Sequence, residues 1–233
     1  MNARFLTLMM MLGLMLLMPA LGSAQESALP KVYMTRDISP EGLKKVYEAL
    51  GRPAVGDKIA VKLTFGEPGN RYHLAPSLIQ DLVQSVNGTF IDSNTAYGGK
   101  RGTVAEHLKA AEDHGFAAVA PIDILDADGE VVLAIQGGTH LKEVPVGAHF
   151  KNYDFMMVLS HFKGHAMGGF GGALKNISFG IPSPSGKALI HTAGKSRTNF
   201  LDGPEKQEDF IEAMAEAAAG MIQDIGADKM LYI

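Results

Sequence analysis

Cysteine is absent from this chain of 233 residues, which excludes disulfides, thiolate metal sites, Fe–S ligation and a thiol nucleophile within it. An excess of positive charge is missing too. With 21 basic against 25 acidic residues, the formal charge is −4. No basic run occurs, so nothing calls for nucleic acid, which needs a basic face. Neither a heptad pattern nor an internal repeat is present. Hydrophobic residues make up 46% and charged residues 20%, ordinary proportions for a folded globular protein. The length allows one large or two small domains with a core of their own.

A long membrane-spanning run is also lacking. The apolar stretch Phe5–Met18 follows Arg4, is broken by Pro19, and gives way to Gly22-Ser23-Ala24. A positive start, an apolar centre and small residues at a cleavage point describe a secretory signal. The run is shorter than the ~20 residues a span needs. With no cysteine at the cleavage point and no Arg-Arg pair, neither a lipoprotein nor twin-arginine export is indicated. Residues 1–24 are expected to be a signal peptide and Gln25 the mature start. The protein is then periplasmic or secreted, with no retained membrane span.

Along the mature chain, hydrophobic periodicity predicts strands at Lys31–Arg36, Asp57–Thr64, Thr89–Asp92 and Ala117–Ala120. Helices are expected between them, from Ser39-Pro40-Glu41 to Leu50, over Pro76–Val86, and over Thr103–His114. The order β-α-β-α-β-α-β argues for a parallel sheet. Residues 122–146 break the pattern. Ile122–Leu125 and Glu130–Ile135 flank Asp126-Ala127-Asp128-Gly129, a hairpin signal, and Leu141–Val146 adds a short strand. The pattern resumes with a helical turn at Ala148–Tyr153, a strand at Phe155–Leu159 and a long helix over Glu205–Ile225. A last strand, Lys229–Ile233, ends the chain. The expected class is α/β: a mostly parallel sheet, helices on both faces, and a small antiparallel excursion. Residues 25–233 are expected to form a single domain. An apolar strand with no polar tail is an unusual terminus, so truncation at the C-terminus is expected.

Familiar site motifs are mostly missing. There is no Walker A pattern. Gly169-Phe170-Gly171-Gly172-Ala173-Leu174 begins like a dinucleotide fingerprint but lacks the third glycine and stands late in the chain. Ser160-His161-Phe162-Lys163 fits Ser-x-x-Lys, but no Lys-Thr-Gly or Ser-Asp-Asn follows, and Ser160 ends a strand where a helix should start. His107 and His114 share a helix face, where a solvated or capping role is expected. His73, near Glu67 and Arg71, and the loop Ser93–Gly102 with Tyr97, Lys100 and Arg101 follow strand ends where α/β folds bind ligands.

What is present is concentrated in Asp154–Thr192. An apolar strand leads to His161, Lys163 and His165, then to five glycines within residues 164–172. Lys175 and Asn176 follow, then Lys187 and His191. Glycine admits a ligand close to backbone N–H groups, while histidine and lysine bring proton transfer, metal ligation or anion pairing.

The phrase LSHFKGHAMGGFGGALKNISFGI, with Tyr153-Asp154 before it and GKALIH after it, closely resembles the uncharacterised family called domain of unknown function 362. The likeness extends to the VKLTFGEPGN and IDSNTAYGGKRGT loops. That family is commonly ferredoxin-linked, with a C-terminal part whose cysteines hold a 4Fe–4S cluster, and this chain has no such cysteines. The segment GHAMGGFGGALKNISFGI also resembles that of nickel-pincer lactate racemases. There a histidine is the catalytic acid/base, a lysine joins the pincer nucleotide, and a later histidine ligates nickel. The resemblance gives these roles, in order, to His165, Lys175 and His191. Gly171 stands where those enzymes have serine, and their Asp-x-x-Arg-Pro loop has no counterpart in Lys62–Pro68.

Together these readings point to a cofactor- or metal-dependent enzyme acting on a small anionic molecule. Catalysis is assigned to His165 and Lys175. Cofactor binding falls to Lys163, Gly168, Gly169, Gly171, Gly172 and Asn176, and metal ligation to His191. A nickel or other divalent metal, or a pincer-like nucleotide, is the implied cofactor. The alternative is a non-catalytic electron-transfer or binding module with a redox partner, its 4Fe–4S region lying beyond this chain.

Overall fold

In a computed structural model that describes residues 31–233 except Gly98, Leu201 and Glu205, Ser39 opens the first helix, α1 (Pro40–Ala49). Its side chain accepts the Gly42 N–H at 3.0 Å, and Pro40 occupies the first turn, where a missing N–H costs nothing. The chain then alternates as β1 (Ile59–Lys62), α2 (Pro76–Ser85), β2 (Thr89–Asp92), α3 (Val104–Asp113) and β3 (Ile122–Ile124). Thr103 caps α3 by accepting the Glu106 N–H. An antiparallel ribbon, β4 (Glu130–Ala134) with β5 (Glu143–Gly147), precedes β6 (Phe155–Val158). A short hairpin follows, β7 (Lys163–His165) with β8 (Gly169–Gly171). Helices α4 (Ala173–Gly180), α5 (Pro184–His191) and α6 (Gln207–Ile225) lead to β9 (Met230–Tyr232). The segment read as an export signal lies outside the described residues.

Five parallel strands form the central sheet in the order β3-β2-β1-β6-β9. Both faces are covered, which is why β1 and β6 are buried along their whole length. On one face Val61, Phe90 and Met157 pack with Ile79, Leu82 and Val83 of α2 and Ala111 of α3. On the other, Ala60, Ile91, Met156 and Val158 pack with Ile177 of α4, Ile190 of α5 and the alanines of α6. Small residues let α6 lie close: a Cβ on Gly220 would stand 2.8 Å from Ile135 Cγ1. The expected α/β class, with helices on both faces and an antiparallel excursion, is what forms. Residues Tyr33–Ile233 make up one unit, and no helix among the described residues is long and apolar enough to cross a membrane.

Three expectations are corrected. Lys31–Arg36 forms no strand, and its Met34 is 84% exposed; alternation without a sheet edge to pair with yields no strand. Residues 116–118 make a 3-10 turn after Gly115, whose φ is 87°, and the strand falls instead on Ile122–Ile124, where β-branched residues replace alanines. That strand pairs parallel with β2, so it is not one arm of a hairpin over Asp126–Gly129. The true antiparallel partner of β4 is β5. The glycine run, for its part, builds the β7–β8 hairpin before α4 begins.

From β1 the chain proceeds to β2 and β3 on one side, then returns to β6 and β9 on the other. The crevice beyond the carboxyl ends of β1 and β6 is therefore the topological switch point, the usual ligand position in open α/β sheets.

Candidate active site

Lys62 ends β1 and is fully buried. Its ammonium donates to Leu63 O at 2.6 Å and Asn176 Oδ1 at 2.9 Å, and lies 3.1 Å from Asp92 Oδ1 at the end of β2. Asp92 Oδ2 faces Arg101 Nη1 at 3.5 Å and His107 Nε2 at 3.4 Å. That buried His107 nitrogen makes no hydrogen bond with any of the described residues, so Asp92 is its near neighbour only. Burial alone would push the Asp92 carboxyl up. The opposing charge of Lys62, with His107 and Arg101, outweighs it and holds the group well below the usual carboxylate range. Burial draws Lys62 down from its ordinary value, partly offset by Asp92. Arg101 also donates from Nε to Glu67 Oε1 at 3.0 Å.

Lys187 arrives from α5, whose start is fixed by Ser183 and Ser185 donating to Glu130 Oε2 of the ribbon, each at 2.6 Å. Its ammonium donates to Ser93 O at 3.0 Å, Ser93 Oγ at 2.8 Å and Asn94 O. Ser93 spends its own proton on Pro182 O, so all three partners are acceptors. Burial draws Lys187 to about 7, opposed by Asp92 and Asp126, while the three acceptors favour the ammonium.

Above this floor opens a cavity of about 660 Å³, well sized for a small ligand. Of the residues singled out from sequence, His165, Lys175, Lys163, Gly171, Gly172, Asn176 and His191 all line it; Gly168 and Gly169 do not. Asn176 is a clamp: its Nδ2 donates to Leu159 O at 3.0 Å and Ser160 Oγ at 3.1 Å, tying the end of β6 to Lys62. Gly168 N–H donates to His165 Nδ1 at 3.0 Å, so the neutral ring carries its proton on Nε2. Burial lowers His165, with Lys175 and Lys163 adding to it. His191 ends α5 among Phe179, Phe200 and Phe210, at centroid distances of 4.9, 4.8 and 5.2 Å. Burial, then Lys175 and His165, draw it down to about 4. Lys175 lies 5.4 Å from the Phe179 centroid and is drawn to about 8 by burial, then by Lys163 and Lys62.

A family model described as a domain of unknown function, DUF362, matches residues 59–227. The chain belongs to DUF362. Among curated proteins none matches it. Two solved structures are similar to this DUF362 chain. One is the lactate racemase apoprotein from Thermoanaerobacterium thermosaccharolyticum, at 18% identity and a TM-score of 0.47, covering 78% of this chain and 47% of that one. The other is a structural-genomics protein from Thermotoga maritima, at 15% identity and a TM-score of 0.45, covering 84% and 49%. The chain thus spans about half the length of these structures.

Sequence reasoning missed the buried floor of this DUF362 site. Lys62 and Asp92 read as ordinary strand residues, yet a charge closing an apolar parallel strand is itself a signal, since it must be paired. His107, expected to be solvated or capping, is wholly buried behind Asp92. His114 Nδ1–H donates to Phe65 O at 2.7 Å and its ring stacks on His73 at 4.2 Å, and neither ring lines the cavity. As for a metal, His191 offers a neutral imidazole, but no group of three or more His, Cys, Asp or Glu side chains among the described residues is placed to hold an ion. Among the described residues, a metal held by side chains alone has no ligand set in this cavity.

Proposed function

We propose that this protein is an enzyme that takes a small anionic molecule, a carboxylate or a phosphate, into the cavity beyond β1 and β6. One observation carries the reading. The acidic groups lining the cavity, Asp92 and Glu67, are already paired with Lys62 and Arg101. Lys163, Lys175 and Lys187 have no carboxylate partner among the described residues. A cleft of one sign with low-dielectric walls concentrates the opposite ion.

Lys163 and Lys175 then supply the counter-charge at the ligand, and Lys187 holds the loop after β2. The acid/base duty expected of His165 narrows to donation. Its Nε2–H polarises a ligand oxygen, because taking a further proton on Nδ1 would displace the Gly168 N–H. His191 stays neutral and walls the cavity with its phenylalanines. The proposed chemistry does not pass through a metal. Export belongs to the same proposal, supported by the signal pattern before Gln25, and the N-terminal mass of secreted protein tests it; an intact Met1 would refute it.

Thermal unfolding with a panel of small carboxylates and phosphates, at constant ionic strength, tests the function. A ligand at 100-fold excess over Kd stabilises by about 2.7 kcal/mol, or about 5–10 °C for a chain of this size. No shift with any anion would remove the reading.

A further inference from the structure

Four lysines line the cavity, and their surroundings divide them sharply. Lys62 and Lys187 each meet three oxygen acceptors, which use all three ammonium hydrogens. Lys163, on β7, is exposed to solvent. Lys175 is different from all three. It is half-buried, lines the cavity, and its Nζ has neither hydrogen-bond acceptor nor carboxylate among the described residues; its one described contact is the Phe179 ring.

Only the Phe179 ring face and the charge of Asp92 favour an ammonium there, and neither outweighs burial. Desolvation without an acceptor favours the neutral amine, and Lys163 and Lys62 add repulsion to any charge on it. A lysine desolvated beside other cations is the arrangement that makes an amine nucleophilic at neutral pH. We infer that Lys175 is a reacting amine that forms an imine with a small anionic aldehyde or ketone, an oxo acid in chemical class. This rests on the anion-binding reading above and names its substrate.

The step balances without a further reactant. The Nζ lone pair adds to the carbonyl carbon, forming the C–N bond as the C=O π pair moves to oxygen, with His165 Nε2–H donating to that oxygen. The oxygen gains one proton from the nitrogen and one from solvent, then leaves as water, giving the protonated imine. Lys163 faces the anionic group. With its value at about 8, Lys175 holds at pH 7 about two orders of magnitude more free amine than an unperturbed lysine.

Glyoxylate is the probe, with sodium cyanoborohydride to trap the imine and peptide mass mapping to locate it on the full-length protein. Oxalate, a similar anion with no electrophilic carbonyl, is titrated calorimetrically in parallel. The inference expects label on Lys175 in about tenfold excess over any other lysine, suppression of it by oxalate, and its loss in Lys175→Arg. Folding of the variant is checked by its circular dichroism and by a urea unfolding transition that matches the unmodified protein's. Oxalate binding with Lys175 unlabelled, or with label spread over surface lysines, would overturn the imine and leave the anion site standing. Neither binding nor label would overturn both.

Discussion

Lys62 Nζ and Asp92 Oδ1 stand 3.1 Å apart across two neighbouring strands, with side chains only 1% and 5% exposed. The pair closes the ends of β1 and β2 beneath the cavity, and Asn176 locks it to β6. Removing Asp92 strands Lys62 without a counter-charge, whereas removing Lys62 leaves Asp92 to Arg101 at 3.5 Å.

Asp92→Asn is therefore expected to destabilise the fold by about 3–5 kcal/mol, read from urea unfolding at pH 7. A cost under about 1 kcal/mol would mean that Lys62 and Arg101 find other partners. The pH dependence has a fixed sign. The folded carboxyl lies below its unfolded value, so its contribution is present above about pH 4 and is lost as pH falls further.

Gly180 makes room for that lysine. A Cβ there would stand 2.1 Å from both Lys62 Cε and Nζ. Gly180→Ala gains helix propensity of about 1 kcal/mol yet must displace a side chain held by three acceptors. A net loss of about 1–3 kcal/mol is expected, together with weaker anion binding. Unchanged or improved stability would show that Lys62 can move freely.

These contacts explain how far the sequence could be read. Ser39-Pro40-Glu41 and Thr103 marked helix starts because capping is local, and Thr89–Asp92 was legible because an apolar run between a turn and a loop has few alternatives. Ala117–Ala120 misled: four small apolar residues fit a strand or a tight turn equally, and only the reach to β2 decides. The cavity-lining set of His165, Lys175 and His191 was visible as a density of titratable groups beside glycine. Its floor was not. Lys62 and Asp92 are 30 residues apart, and a charged residue in a strand shows nothing of its partner until the sheet order is known. The β7–β8 hairpin was hidden for a related reason, since glycine satisfies a turn, a cradle and a short strand alike.

His191 offers a spectroscopic check on the cavity's field. Its ring is drawn to about 4 by burial, Lys175 and His165, below an unfolded value near 6.5. Between these limits the unfolded chain takes a proton that the folded one refuses, so stability declines as pH falls through that window. NMR titration should place the midpoint near 4, and Lys175→Met should move it upward. A midpoint near 6.5 in the folded protein would mean that the ring is solvated.

Calorimetric titration of oxalate and of inorganic phosphate into the full chain, repeated with Lys163→Gln/Lys175→Gln, tests the uncompensated charge most directly. A charge-assisted hydrogen bond contributes about 1.5–3 kcal/mol, so at least one of the two anions should bind the unmodified protein and lose about tenfold or more in affinity with the double variant, and the unmodified affinity should fall as salt is raised. Equal affinity in the two proteins, or no binding of either anion to the unmodified chain, would contradict it.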